Sequence, residues 1–373
     1  MAEHGHGAAR RWVAVGALVA VLVALPVGIG ALPAPDAAVS AADLKAAVLG
    51  AGDVGFSGYA ESAGGLALPV SDQLPAVADL FSDRTTMRVW WRGPTDSRVD
   101  VVSAAGETGY HREPTGLWTW EYESATATHA AAGTSAEPFV LPGPPDLLPN
   151  ALGRRLVSEA TDEELRRIGA ERVAGRTALG LRVTPAEKAS SVDHVDVWVD
   201  ADSGLPLQVQ VVGDGGGTPA VDTRFLDLEL TTPAPDVVAF RRPPGAVVRQ
   251  AQEAEIVREA AGRLRPAALP DTLAGLPRRT GDGAPPGIGL YGRGVTLLAV
   301  APVPWRLANA LQNTLAVSPG AVDDDAGLRA AAGPVGLMVV QQPGSGSYLL
   351  TGTVTLDALA AAAGELPDLV GRR

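Results

Sequence analysis

The chain has 373 residues, 46% of them hydrophobic and 19% charged, a globular composition that excludes a disordered polymer. It contains no cysteine, which excludes disulfide frameworks, thiolate zinc sites, thiol nucleophiles and lipid attachment through a cysteine. A formal charge of −12 argues against nucleic acid as a partner, and the 44 Gly and 30 Pro favour short strands and turns.

Trp12 to Leu32 carry no charge and follow Arg10 and Arg11. That stretch is long enough to cross a hydrocarbon core of about 30 Å as a helix. Basic residues before it and Asp36 and Asp43 after it predict a cytoplasmic N-terminus. The expectation is a single-pass protein of the cytoplasmic membrane, with everything from about Pro33 onward extracytoplasmic. The alternative is a secreted chain cleaved near Val39-Ser40-Ala41.

Ser40, with Asp43 three residues on, predicts a helix start that places Leu44, Ala47 and Val48 on one face, ended by Gly50 and Gly52. Strand alternation follows in Arg84–Arg92, with Met87, Val89 and Trp91 on one side and Arg88, Trp90 and Arg92 on the other. Gly93-Pro94 turns the chain into Arg98–Val102. Leu117–Glu123 alternates again, with Trp118, Trp120 and Tyr122 together. After a proline-rich loop, Leu147–Glu159 reads as a helix and Thr161–Ile168 as a second short one, with Glu163, Glu164, Arg166 and Arg167 as its charged surface. His194–Val199 and Leu207–Val212 form a hairpin closed by Asp202-Ser203-Gly204. Phe225–Leu230 adds a strand with Leu226, Leu228 and Leu230 aligned.

Residues 251–265 read as a charged connector. Beyond it Gly294–Val300 is a strand, Pro304–Leu315 a helix, Val335–Gln341 and Ser347–Val354 a strand pair, and Thr355 caps a final helix to about Gly364. The expected organisation is therefore 1–39 as cytoplasmic tip and anchor or signal peptide, 40–250 as an antiparallel sheet domain with helices, 251–265 as connector, and 266–373 as a smaller α+β domain.

Gly50-Ala51-Gly52-Asp53-Val54-Gly55 satisfies G-x-G-x-x-G, but a helix precedes it where a dinucleotide fingerprint needs a strand. Gly287–Gly292 runs into a strand, and Gly213–Gly217 lacks the Gly-Lys-Ser/Thr ending of a phosphate cradle. In Asp193-His194-Val195-Asp196, strand alternation puts His194 and Asp196 on one face and Asp193 on the other, a solvated strand more than a metal or acid–base site. Asp323-Asp324-Asp325 reads as an acidic loop. No catalytic residue, metal ligand or cofactor is expected.

Four of the seven tryptophans, Trp90, Trp91, Trp118 and Trp120, cluster in about thirty residues. They read either as packed sheet core or as the wall of an apolar ligand cavity. Phe56-Ser57-Gly58, Met87–Pro94, Arg98-Val99-Asp100, Gly116–Tyr122, Val197–Asp200 and Ser203–Leu207 together resemble the LolA-like lipoprotein-carrier fold and the MucB/RseB N-terminal domain family. The resemblance implies an antiparallel half-open β-barrel closed by helices, whose concave face receives a lipid or acyl chain. It also implies a sigma-factor regulatory role, in which the C-terminal unit binds an anti-sigma factor or other membrane partner. Burying an acyl chain of about sixteen carbons would yield on the order of 13 kcal/mol at ~0.8 per methylene, before association costs. The candidate cavity residues are Val89, Trp91, Trp118, Trp120, Tyr122, Val197 and Leu228. The expected function is a non-catalytic, membrane-tethered lipid or lipoprotein-binding protein, carrier or sensor, with the partner-binding module as its alternative.

Overall fold

Ser40 opens the first helix, α1 (Ala41–Gly50), by accepting a hydrogen bond from the Asp43 amide at 3.1 Å. This satisfies one of the orphan donors of the first turn, and Leu44 and Val48 are the residues the helix buries. The computed structural model describes residues 34–64, 84–103, 106–132, 143–250, 268–279, 287–342 and 346–367. The candidate membrane segment Trp12–Leu32 and the connector 251–265 lie outside them.

From α1 the chain makes β1 (Phe56–Gly64), β2 (Arg84–Gly93), β3 (Asp96–Ser103), β4 (Gly106–Glu113), β5 (Gly116–Glu121) and β6 (Thr126–Ala131). Helix α2 (Pro149–Ser158) follows, then β7 (Leu165–Val173), β8 (Arg176–Val183), β9 (Val192–Asp200), β10 (Pro206–Gly213) and β11 (Val221–Glu229). A one-turn helix, α3 (Pro235–Val238), leads to β12 (Val247–Gln250). These strands form one 12-stranded sheet in the order β12-β6-β5-β4-β3-β2-β1-β11-β10-β9-β8-β7. Every pairing is antiparallel except β12 on β6. The end strands, β12 and β7, do not pair with each other, so the sheet is open.

The rest of the chain makes a short hairpin, β13 (Thr272–Leu273) with β14 (Leu276–Pro277), and a second sheet. That sheet comprises β15 (Gly289–Arg293), β16 (Thr296–Val303), β17 (Leu328–Ala332), β18 (Val335–Gln342) and β19 (Gly346–Gly352), in the order β15-β16-β19-β18-β17. Helix α4 (Trp305–Ala316) packs Ala308, Leu311 and Leu315 against Leu337 and Val339. Helix α5 (Leu356–Gly364) packs Leu359 into the cluster of Tyr291, Leu298, Met338 and Tyr348. Thr355 caps α5 by accepting from the Ala358 amide.

Directly paired residues of an antiparallel ladder project to the same face, so the register sorts the large sheet into two faces. One face carries Phe56, Met87, Val89, Trp91 and Val99, all buried with Leu147 and Leu148 just before α2. Further along, the same face carries Leu179, Leu181, Val195, Val197 and Val209, buried under Leu44 and Val48 of α1 and Val157 of α2. This is the helix-covered face and the main core. Gly204 (φ 73°) closes the β9–β10 hairpin against α1, where a Cβ would sit 2.8 Å from the Ala47 carbonyl oxygen.

Three sequence expectations are corrected here. Thr161–Ile168 is not a helix: Asp162–Glu164 make one 3₁₀ turn and the chain then enters β7, where Leu165 pairs with Val183. The capping contact is real, since the Thr161 amide donates to Glu164 at 2.8 Å, but the helix it signals stops after one turn. Leu226 does not align with Leu228: a bulge pairs Tyr59 with Asp227 but Ala60 with Phe225, which pushes Leu226 out to 42% exposure and buries Phe225. The placement as a single-pass membrane protein is corrected as far as the described residues go: among them no helix is long and apolar enough to cross a membrane, and Trp12–Leu32 lies outside them.

Candidate functional site

The seven candidate cavity residues do not share one face. Val89 and Trp91 of β2, Val197 of β9 and Leu228 of β11 lie on the helix-covered face, where Val197 is fully buried and Val89 and Trp91 nearly so. Trp91 is fixed there by its indole N–H, which donates to the Gly52 carbonyl at 3.1 Å, and by Phe56 stacked on it at 6.0 Å. The same contact accounts for the Gly50–Gly55 stretch, whose carbonyl anchors a core tryptophan. Trp118 and Trp120 of β5 project from the opposite face. The register carries Trp90 across to Arg98, His111, Trp118 and His129 in one row. Trp90, not Trp91, is therefore the tryptophan that shares a face with Trp118. Tyr122 lies in the turn after β5, 42% exposed, and accepts a hydrogen bond from Arg98 at 3.2 Å.

The second face is covered by the chain itself. After β11, the segment 235–250 returns across it and adds β12 to the edge of β6. Phe240 on this strap stacks on Trp118 at 4.8 Å, meets His111 edge-on at 5.3 Å and leans on Trp120 at 6.3 Å. Its amide donates to Glu113 at 2.8 Å, and His111 Nδ1 bonds the Val238 carbonyl at 2.8 Å. Burial, reinforced by the nearby Arg98 charge, lowers the His111 pKa, so the imidazole is neutral at pH 7 and donates from Nδ1. Arg98 reaches over the Trp90 ring at 4.9 Å while forking onto the buried Asp100 at 2.9 and 2.6 Å. Burial alone would depress the Arg98 pKa, but the Asp100 hydrogen bonds and charge raise it. The row offers aromatic faces and satisfied ions, which is recognition chemistry.

The junction between the two sheets is the second polar constellation, and sequence reasoning missed it. Arg293, at the end of β15, forks onto Glu164 at 2.8 and 3.0 Å and reaches Glu187 at 2.8 Å. Arg279 pairs with Glu159 at 2.9 and 2.7 Å, and the Gly294 amide donates to Glu159 at 2.6 Å. Beside these ions Val295 is buried in the cluster of Leu44, Val48 and Val157. The Glu164 side chain is only 4% exposed. Burial pushes its carboxyl pKa up, but hydrogen bonds from Arg293 and from the Thr161 and Ala186 amides prevail and bring it down to about 2. A further seam joins the Ser191 amide to the Thr353 carbonyl, the Thr355 amide to the Ala189 carbonyl, and the Ser191 hydroxyl to the Pro334 carbonyl. The sequence signal for Glu164 was its capping-box spacing, which says nothing about a distant arginine.

His194 also departs from expectation. It contacts Asp193 at 2.6 Å and lies 3.6 Å from Asp196, so the two acids do converge on the imidazole. Asp196 is nevertheless committed to Arg182 through two 2.6 Å bonds. Asp324 in the acidic loop is likewise committed, to Arg329 at 2.6 and 2.8 Å. Among the described residues no three His, Asp or Glu side chains group as a metal site.

Residues 135–242, which contain α2, the strands β7 to β11 and Phe240, match the MucB/RseB N-terminal domain. This segment belongs to that domain family. The MucB/RseB likeness extends in fold to most of the chain: a chain of the Pseudomonas aeruginosa MucA/MucB complex superposes with a TM-score of 0.50 at 19% identity, covering 89% of this chain and 99% of its own length. At that identity the likeness is one of fold. A crystal structure of MucB at 18% identity covers 88% of this chain and 98% of its own, with a TM-score of 0.44. A LolA superfamily protein from Nitrosomonas europaea, at 13% identity, covers 54% of this chain and 99% of its own, with a TM-score of 0.25. These two scores add no weight to the fold assignment. No curated protein matches the sequence.

Proposed function

We propose that the chain is a non-catalytic regulatory binding module that holds an anti-sigma factor or another membrane protein. It would do so with two units, about 40–250 and 266–373, acting as one body. The observation that carries this reading is the junction: Glu164, buried in the larger unit, is held by Arg293 of the smaller one, and Val295 is inserted beneath α1 and α2. Two sheets joined in this way present a composite surface whose shape depends on both. The MucB/RseB-type fold supports the partner class, because the relative with that fold was solved as a complex with MucA. Mixing the intact chain with the soluble segment of an anti-sigma factor from the same organism is expected to give a co-eluting complex in size-exclusion chromatography. Failure of every such anti-sigma segment to co-elute would overturn the reading.

A second reading, a lipid or acyl-chain ligand, is favoured by one observation. Val89, Trp91, Val197 and Leu228 share the face that α1 and α2 cover, as the concave face of a half-open barrel would be covered. That face is filled by the protein's own side chains, so a ligand would enter by lifting the helices, and Trp118, Trp120 and Tyr122 would not line the same space. Native mass spectrometry of the intact chain is expected to retain a co-purified lipid. A protein that is always empty and ignores added fatty acid would sink this reading.

A further inference from the structure

The second sheet carries an open cleft of about 470 Å³ between the C-terminal half of α4 and the strands β17 and β18. It is lined by the apolar Ala316, Leu328 and Val339 and by the polar Gln312, Gln341, Asp323 and Asp325, among others. The amides are already arranged in a chain. Gln341 donates both amide hydrogens, one to Asn309 at 2.8 Å and one to Gln312 at 2.6 Å. The side-chain carbonyl oxygen of Gln341 and the side-chain N–H groups of Gln312, both lining the cleft, make no hydrogen bond among the described residues. The acceptor left on Gln341 and the donor left on Gln312 together match a peptide backbone, which offers the complementary pair.

The charges are one-sided. No Lys or Arg lines the cleft. The neighbouring cation, Arg329, is 7% exposed and is committed to Asp324, which leaves Asp323 and Asp325 facing the cleft without a counter-ion among the described residues. The loop that presents them is held by the Ala326 amide on the Asp324 carboxylate at 3.0 Å and the Gly327 amide on its carbonyl at 2.9 Å. Apolar lining beside two carboxylates that have no counter-ion among the described residues suits a long basic side chain, whose methylenes pack on the apolar residues while its head meets the carboxylates. A neutral or acidic ligand would leave both carboxylates unpaired.

We propose that this cleft binds an extended, basic peptide segment, with the Gln341 and Gln312 amides on its backbone and Asp323 and Asp325 on a Lys or Arg side chain. The proposal deepens the partner-binding reading above by naming the chemistry of the segment the smaller unit would take. It stands or falls on peptide binding alone, while that reading is decided by co-elution of the anti-sigma segment.

The test uses the intact chain and fluorescein-labelled tetra-arginine, with tetra-citrulline as the uncharged isostere, in fluorescence anisotropy at about 0.15 M salt. Tetra-arginine is expected to bind about ten-fold more tightly than tetra-citrulline. The double variant D323N/D325N is expected to lose that preference, and Q341A to weaken both peptides about three-fold or more. A charge-matched control, D202N/D227N, changes two acids of the larger sheet and is expected to leave binding within about two-fold. Equal losses in the two double variants would assign the binding to the diffuse −12 charge and overturn the proposal. So would equal affinity for the two peptides, or tighter binding of a neutral oligosaccharide such as chitotetraose at the same cleft.

Discussion

Replacing Glu164 with glutamine (E164Q) is expected to cost about 3 kcal/mol of stability at neutral pH, and the cost should vanish in acid. The carboxyl is lowered from its ordinary value near 4.5 to about 2 in the folded chain. A shift of that size corresponds to about 3 kcal/mol at 1.36 kcal/mol per unit. The sign follows from which state binds the proton more tightly. The unfolded chain protonates Glu164 first, so its contribution is complete above about pH 4.5 and drains away as the pH falls toward 2. Urea unfolding at neutral pH should separate the two proteins, and unfolding near pH 2 should bring them together. A gap that does not change with pH would show that the loss comes from shape alone. Because Glu164 anchors Arg293 across the junction, the variant should also loosen the two sheets relative to each other, seen as faster amide exchange at 293–296.

The second large effect lies in the main core. Phe56 is fully buried, stacks on Trp91 at 6.0 Å and meets Phe225 edge-on at 5.2 Å. Phe56→Ala should cost about 3–5 kcal/mol, the lost transfer energy plus the cavity left between two rings that β1, β2 and β11 hold in place. Phe56→Leu should cost less than half as much, since it refills most of the volume. Chemical denaturation checks both, and tryptophan emission should shift because Trp91 loses its stacked neighbour. A cost under about 1 kcal/mol for the alanine variant would mean that the site collapses, contrary to a rigid three-strand packing.

How much of this was legible in the sequence depended on the range of the interaction. Ser40 and Thr355 announce their helices because a cap involves a side chain and an amide three residues apart. The β9–β10 turn, the strand pair β18–β19 and helix α4 were readable for the same reason: each is specified by contacts a few residues away. The reading of Thr161–Ile168 as a helix misled because its local signal is true and incomplete. The capping contact forms, yet β7 gains more from pairing with β8 than one further helical turn would supply, and Glu164 finds its strongest partner 129 residues away. Leu226 misled because a single extra residue opposite Tyr59 and Ala60 inverts the alternation, and a bulge has no period to read.

The tryptophans show the limit most clearly. Alternation within β2 correctly separates Trp91 from Trp90, and within β5 it keeps Trp118 with Trp120. It cannot say whether two strands present the same side, because that requires the register carried through β3 and β4. Only the folded ladder places Trp90, Arg98, His111 and Trp118 in one row, and only the return of the strap puts Phe240 on top of it.

By itself the sequence determined a cysteine-free, acidic chain of many short strands, the caps of its helices and the turns of its hairpins, all of which are local or compositional. Tertiary structure decided which face each aromatic occupies, why Glu164 is a buried anion, and where two carboxylates are left without a counter-ion among the described residues. Those outcomes depend on register and on pairs more than a hundred residues apart, such as Glu164 with Arg293 and His111 with Val238. Local periodicity holds no record of such pairs, because their free energy exists only once the whole sheet has closed the distance between them.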